Sequence, residues 1–429
     1  MLPLSILILA LLAVGNFLLS KKVLFPPVVF CSVWAADLVI VWLAGDFFYK
    51  IRYALTLYCL GAFVFSIGAA ACLVFRLRGP RSVACCNQRL LSCMVGLTVV
   101  SVPFLYRWIS SGTDVHGFSG TIFALARQFM LTTQEEGGGF QFTLYSNLAA
   151  FSIPVAMLAF AESEYSKKRA AVAIVASVAM NVLIGGRAGL AILVLCCFCI
   201  HVLTGHKITI KSLAVLVLSG AFILGVMAVV LSKGDTATSS GLSETASAVK
   251  DQAYLYVAGG AVGFDDIVNR PSVIPHNWNI WRFPLQLASA LGFKTEIPPL
   301  HAEYDALGPH GLIGNVYTLY FAYVDLGTIG TLGVLMFLGA ICGFYFSRAI
   351  AGHRVSLMVY AMMFSGLALS ISGEYFFMGI PFLVRTASLT WIAYDLSPVS
   401  AAHRRTLGDL VDRYASANSR AGFRGGIRE

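Results

Sequence analysis

The sequence predicts an all-α polytopic integral membrane protein, and three observations carry that prediction. Hydrophobic residues make up 58% of the chain and charged residues only 12%, whereas a soluble domain averages about 25% charged. Mean hydropathy is +0.79. Apolar runs long enough to cross a bilayer recur along the chain, separated by connections that carry Lys and Arg.

About eleven spans follow from these runs. They lie at residues 3–20, 23–44, 53–76, 90–109, 141–161, 169–184, 187–204, 212–232, 326–346, 355–372 and 377–396. The first run, Leu2–Ser20, has no basic residue before it and no small-residue cleavage site. It reads as a first transmembrane helix rather than a cleaved signal peptide. Four regions result. Residues 1–232 hold eight spans and a shorter outer loop at 110–140. Residues 233–325 form a large outer loop ending in an interfacial segment. Residues 326–397 hold the last three spans, and 398–429 form a basic tail.

Lys and Arg set the orientation. One set of connections carries Lys21 and Lys22, then Arg76, Arg78, Arg81 and Arg89, then Lys167, Lys168 and Arg169, with Arg348 and Arg354 later. That set is expected on the cytoplasmic side, with the tail. Lys50 and Arg52, on the opposite side, run against the trend. The net charge of +9 is therefore a topology signal and no pointer to nucleic acid. All ten cysteines fall in spans or in the loop holding Cys85 and Cys86, none in the outer loops, as an oxidising outer compartment favours. Cys196, Cys197 and Cys199 sit in an apolar run without His or carboxylate beside them and read as packing residues.

The large loop opens with Gly234–Ala248, rich in Ser, Thr, Gly and Ala, which reads as a flexible entry. Lys250–Val268 then reads as an amphipathic helix lying along the membrane surface. Three prolines and two tryptophans follow in 269–284, with Trp278 and Trp281 suited to the interface. The shorter loop carries a second amphipathic piece, Phe118–Leu131. The loops lead to Gly311–Phe346. Its first half, with Asn315, Tyr317, Tyr320, Tyr323 and Asp325, reads as a wet aromatic surface segment. It turns down at Gly327 into a glycine-spotted transmembrane helix.

Charges that topology does not require collect on the outer side. Arg187 lies in Gly185-Gly186-Arg187-Ala188-Gly189, a turn between two apolar runs. A guanidinium there suits phosphate oxygens, and it equally suits snorkelling at a helix end. Arg127 and Arg282 are further outer cations. Arg385 lies well inside the last span, where a central Arg costs about 2.5–3.5 kcal/mol on insertion scales. It needs either a pair, for which Asp37 is the candidate, or a polar cavity. Asp325, Glu374 and His310 are candidate general bases, Asp325 being equally a helix N-cap. Tyr317, Tyr320, Tyr323 and Trp281 can stack on sugars or anchor at the interface. No Walker loop or zinc-like spacing is present, and Asp265-Asp266 is a weak metal signal, so no metal or cofactor is expected.

Asn315–Phe346, with Asn-x-Tyr-Thr, aromatics, Asp-x-Gly and a glycine-spotted helix, resembles the corresponding region of bacterial Wzy-type oligosaccharide repeat-unit (O-antigen) polymerases. Residues 183–195 resemble their small-residue–Arg turn, and 254–268 are similar to a loop segment of theirs. Arg127 and Gly138 fit an Arg-x10-Gly spacing of some members, while Arg270 and Arg282 lack it. The resemblance implies a GT-C-like glycosyltransferase of the bacterial inner membrane. It would join undecaprenyl-diphosphate-linked oligosaccharide repeats at the periplasmic face, with a Wzz-type chain-length regulator as a partner. Arginines, Arg187 first, would face the diphosphate, and Asn315 and the aromatics the sugars. An O-antigen ligase shares this outline, and a lipid-linked oligosaccharide flippase is the rival from another class.

Overall fold

Thirteen α-helices, two short 3-10 turns and one short hairpin make up the regular structure in the described part of this computed structural model. It describes residues 1–74, 86–116, 122–135, 139–210, 212, 214, 216, 218–220, 242–270, 280–295, 304–309 and 313–395. The helices are α1 (Leu2–Ser20), α2 (Pro26–Ala44), α3 (Leu55–Val74), α4 (Gln88–His116), α5 (Ile122–Glu135), α6 (Phe140–Ala161) and α7 (Lys167–Leu183). Then come α8 (Arg187–Leu203), α9 (Leu242–Asn269), α10 (Arg282–Ala290), α11 (Tyr323–Ile350), α12 (Arg354–Ala368) and α13 (Ile380–Asp395). Strands β1 (Tyr304–Ala306) and β2 (Ile313–Asn315) pair antiparallel, with Asp305 opposite Gly314.

Six helices among the described residues are long and apolar enough to cross a membrane: Leu2–Ser20, Pro26–Phe47, Leu55–Leu73, Gln88–Asp114, Phe140–Ala161 and Leu319–Ile350. The chain is a multi-pass α-helical membrane protein. The expected spans at 169–184, 187–204, 355–372 and 377–396 are also helices, but shorter, of 17, 17, 15 and 16 residues. The span expected at 212–232 falls largely outside the described residues. The fourth helix runs on to His116, past the expected end at 109.

α3 and α11 form the most extensive helix pair. Their contact is made by glycine. A Cβ added at Gly343 would lie 2.6 Å from the carbonyl oxygen of Ala69, and one at Gly339 would run into that of Phe65. Gly68 on α3 faces the backbone of Met336 in return. In lipid no hydrophobic force drives helices together, so small residues that let backbones approach supply packing instead. α11 bends at Gly327, whose φ of +62° suits a residue without Cβ. The turn-down expected at Asp325–Gly327 is thus a kink inside one helix.

An aromatic core sits against this pair. Trp34, Tyr58 and Tyr320 are fully buried, with ring centroids 4.6–5.0 Å apart. Each polar end is satisfied: Tyr320 Oη donates to the Tyr58 carbonyl at 2.8 Å, Tyr58 Oη to that of Ala261 at 2.8 Å, and Trp34 Nε1 to Ser370 Oγ at 3.1 Å. At the end of the bundle that carries Arg354, Glu162 is buried and accepts from Gln88 at 3.1 Å and from Tyr394. Arg169 reaches Ser92 Oγ at 3.2 Å there and also bonds Gln88.

Two expectations about the large loop are corrected. α9 spans Leu242–Asn269, and Ala258–Asp265 are buried in the bundle rather than laid on a membrane surface. The segment Thr318–Ala322, expected to be wet, is buried and forms a short 3-10 turn ahead of α11. The first error comes from Gly259, Gly260 and Gly263: glycine carries no hydrophobic label, so a helix face made for close packing reads as neutral.

The glycine contact can be tested directly. Gly343→Val should destabilise by about 1–3 kcal/mol or prevent folding, because its neighbour is backbone and cannot swing aside. Gly333→Val, ten residues earlier on the same helix with nothing within 4 Å of the added carbon, should leave the melting temperature in detergent nearly unchanged.

Candidate functional site

The site region is the end of the bundle that carries Arg187. Its floor is α9, held by two devices. Gly260 meets the backbone of Ile371 and lies against the Tyr317 carbonyl, where an added Cβ would sit 3.2 Å away. Gly263 packs on Val316 and Gly259 on Leu307. The second device is Asp265. Its carboxylate accepts backbone N–H groups of Arg52 at 3.0 Å, and of Tyr53 and Ala54 at 2.7 Å each. Those donors lie in the turn that leads into α3, and a carboxylate there also meets the positive end of the helix dipole. The Asp265 carboxyl is pushed up by burial, while these three donors pull it back. Asp265 is therefore a cap in trans, not a metal ligand. Asp266 pairs with Arg270 one turn on. No metal-holding cluster of His, Cys, Asp or Glu occurs among the described residues.

The Gly185–Arg187 turn follows from helix-ending chemistry. Gly185 takes a left-handed φ of +69°. Gly186 N–H bonds the Asn181 carbonyl at 2.7 Å, and Gly185 N–H bonds that of Val182 at 3.0 Å. This Schellman pattern closes α7, and α8 starts at once at Arg187. The stem of Arg127, on α5, lies against Gly185, its Cγ 3.4 Å from where a Cβ would be. Two arginines expected at the site thus come from different loops to one turn. The Arg187 side chain itself lies outside the described part.

Arg385 does not pair with Asp37, which corrects that expectation. Its Nη2 donates to Asn147 Oδ1 at 2.8 Å, and its guanidinium lies over Phe382 at 5.5 Å. An amide from α6 and an aromatic face serve where a carboxylate was expected. Asp37 is buried on α2, and neither of its oxygens has a hydrogen-bond partner among the described residues.

Glu374 lies in the turn before α13. Its oxygens accept the N–H groups of Phe376 at 2.7 Å and of Phe377 and Met378 at 2.8 Å each. Burial raises its carboxyl above the ordinary value and these donors oppose it. Asp325 occupies the first turn of α11 rather than the N-cap, which is Ala322, and its Oδ2 is shielded from solvent. Arg282 is half-buried at the start of α10, with burial lowering its pKa, and Trp281 beside it is half exposed. Tyr317 lies tilted against Phe321, ring centroids 4.3 Å apart, and Tyr323 meets Phe264 edge-on at 6.0 Å. Tyr320 offers no ring face to a ligand, being enclosed by Phe30, Trp34, Tyr58 and Phe264. His310 and the Asn315 side chain lie outside the described part.

An apolar groove runs along α8. One section, of about 860 Å³, is walled by Val178 and Val182 of α7 and by Leu193, Val194 and Cys197 of α8. It shares Val194 and Leu216 with a second section of about 360 Å³. That section ends among Ala188, Tyr256, Ser372 and Tyr375, one residue from Arg187. Sequence reasoning passed over Tyr256 and Tyr375 as site residues, and Asn147 as the partner of Arg385. Only contacts between distant segments reveal them. Comparison with models of known families, with curated proteins and with solved structures finds no match.

The Glu374 carboxyl yields a pH test. A carboxyl raised in the fold binds its proton more tightly than in the unfolded chain. Its contribution is full below the ordinary glutamate value of about 4.3 and is lost as pH rises through the raised value. Thermal stability should fall over that window in the native chain. The Glu374→Gln variant, lower in stability for want of an acceptor, should lack that slope.

Proposed function

We propose that this chain is a membrane glycosyltransferase that polymerises undecaprenyl-diphosphate-linked oligosaccharide repeats at the periplasmic face of a bacterial inner membrane. The observation that carries the reading is the groove along α8, which is apolar for its length and ends beside an arginine turn. A lipid-linked diphosphate needs that order of surfaces: hydrocarbon, then cations. In this reading the shorter helices α7, α8, α12 and α13 and the span expected at 212–232 also cross the membrane, giving about eleven spans in a GT-C-like arrangement.

In the reaction the acceptor hydroxyl attacks the anomeric carbon of the donor sugar. A new glycosidic C–O bond forms and the bond to the diphosphate breaks. The diphosphate leaves as an anion, so it needs positive charge more than a proton. Arg187 and Arg127 supply it from the turn, and Arg385 from α13. The acceptor proton passes to a base. Glu374 has its oxygens engaged by three N–H groups, which leaves Asp325 and His310 better suited. In this reading Tyr256, Tyr375, Tyr317 and Trp281 meet sugar faces, and Asn315 and Arg282 bind sugar hydroxyls. A Wzz-type regulator would act on the same polymer.

One observation favours a second reading. Asp37 is buried midway along α2 without a hydrogen-bond partner among the described residues, and an intramembrane carboxyl in that state is a common feature of proton-coupled carriers. That reading is a flippase for the same lipid-linked oligosaccharide. A ligase would use the same groove and turn.

The arginine turn decides the matter at residue level. Arg187→Ala should reduce polymer by about a hundred- to a thousandfold with protein still in the membrane. Arg187→Lys should recover little, because an ammonium cannot make paired hydrogen bonds. Surface-polysaccharide ladders in a complemented deletion strain report both. Near-normal ladders from both variants would mean that Arg187 only snorkels, and would remove the turn from the mechanism.

A further inference from the structure

The lysine and arginine that run against the orientation trend, Lys50 and Arg52, share one cleft. It has a volume of about 650 Å³ and lies between the start of α1 and the turn joining α2 to α3. Trp42, Asp46 and Tyr49 line it with the two cations, and Leu2, Pro3 and Val41 form its apolar side. Lys50 and Arg52 are exposed, and among the described residues neither makes an ion pair or a side-chain hydrogen bond. Two positive groups thus meet one carboxylate, Asp46, in a cleft with surplus positive charge.

The turn that presents them is braced from behind. Tyr49 N–H bonds the Leu307 carbonyl at 2.8 Å, and Arg52 N–H bonds Asp265 at 3.0 Å. Gly308 lies directly on the Phe47 carbonyl. The large loop therefore fixes the backbone between residues 47 and 54 and leaves the cationic side chains facing outward. Below the cleft the surface is apolar and open: Trp42 is 57% exposed, Leu43 71% and Leu4 55%. Exposed aromatics above an exposed aliphatic wall mark the boundary between headgroups and hydrocarbon.

We propose that this cleft binds the phosphate of an anionic phospholipid. Lys50 and Arg52 contact the phosphate oxygens, Trp42 and Tyr49 flank the glycerol region, and the acyl chains lie on the apolar wall of α1 and α2. A free anion would find the same two cations. It would gain nothing from Trp42, Leu43 and Leu4, and that favours a lipid. Asp46 opposes binding at close range and limits affinity. The site is separate from the groove along α8, and the proposal holds whichever reaction the chain performs.

The test uses the full-length protein in nanodiscs of phosphatidylcholine, with and without phosphatidylglycerol. Native mass spectrometry reads the ratio of the two lipids retained on the protein, a ratio unaffected by overall stability. The native chain should enrich phosphatidylglycerol. The double variant Lys50→Gln/Arg52→Gln should lose about tenfold or more of that enrichment, as expected for two charge-assisted hydrogen bonds. Asp46→Asn should increase it several-fold. Enrichment unchanged in the double variant would overturn the proposal. So would competition by millimolar inorganic phosphate as effective as that by phosphatidylglycerol, which would mark a site for free anions.

Discussion

The seat of α9 on the bundle is the contact that the rest of the Arg187 end depends on. A helix from a polar loop can enter an apolar core only if its backbone comes close and its polar groups are answered. The glycines at 259, 260 and 263 meet the first condition. Asp265 meets the second by taking three backbone N–H groups from the turn that leads into α3, and Ala261 by accepting the Tyr58 hydroxyl. With α9 in place, the 316–322 segment and the 370–378 turn have a surface to pack on, and Leu319 N–H bonds the Ser370 carbonyl at 2.9 Å. The mouth of the groove, with Tyr256 on one wall and Tyr375 on the other, exists only because α9 is buried there.

A division of labour follows between two layers. α3 and α11 are joined by glycine against backbone, a contact that tolerates little change. A different set of helices, α6, α7 and α8, carries the groove and the arginine turn. Their contacts include a hydroxyl pair between Ser152 and Ser177 at 2.9 Å, and Asn181 folded onto the start of α8 at Gly189.

Much of the helical layout was legible in the sequence because transmembrane periodicity is crude and strong. Runs at 3–20, 23–44 and 53–76 correspond to α1, α2 and α3 within a few residues. The pairings were not legible. Arg385 was matched to the one mid-span carboxylate, yet an amide on α6 serves it. Tyr320 was read as a surface aromatic because Asn315, Thr318 and Asp325 make its segment partly polar; its neighbours in space are Trp34 and Tyr58. Asp265 was weighed as a metal ligand, since nothing local shows that three N–H groups from residues 52–54 arrive on it. Local sequence carries hydrophobic period and turn chemistry. It does not carry the identity of a partner about two hundred residues away.

The account stands or falls on whether repeats are joined by this chain. The direct measurement is the surface-polysaccharide pattern of a strain lacking it, with lipid-linked intermediates analysed from the same cells. Polymerisation predicts lipid A core bearing a single repeat unit, and single repeats on the carrier lipid. A bare core with long polymer held on the carrier would show a ligase. A bare core with single repeats confined to the cytoplasmic leaflet would show a flippase. Either of those patterns would contradict the account.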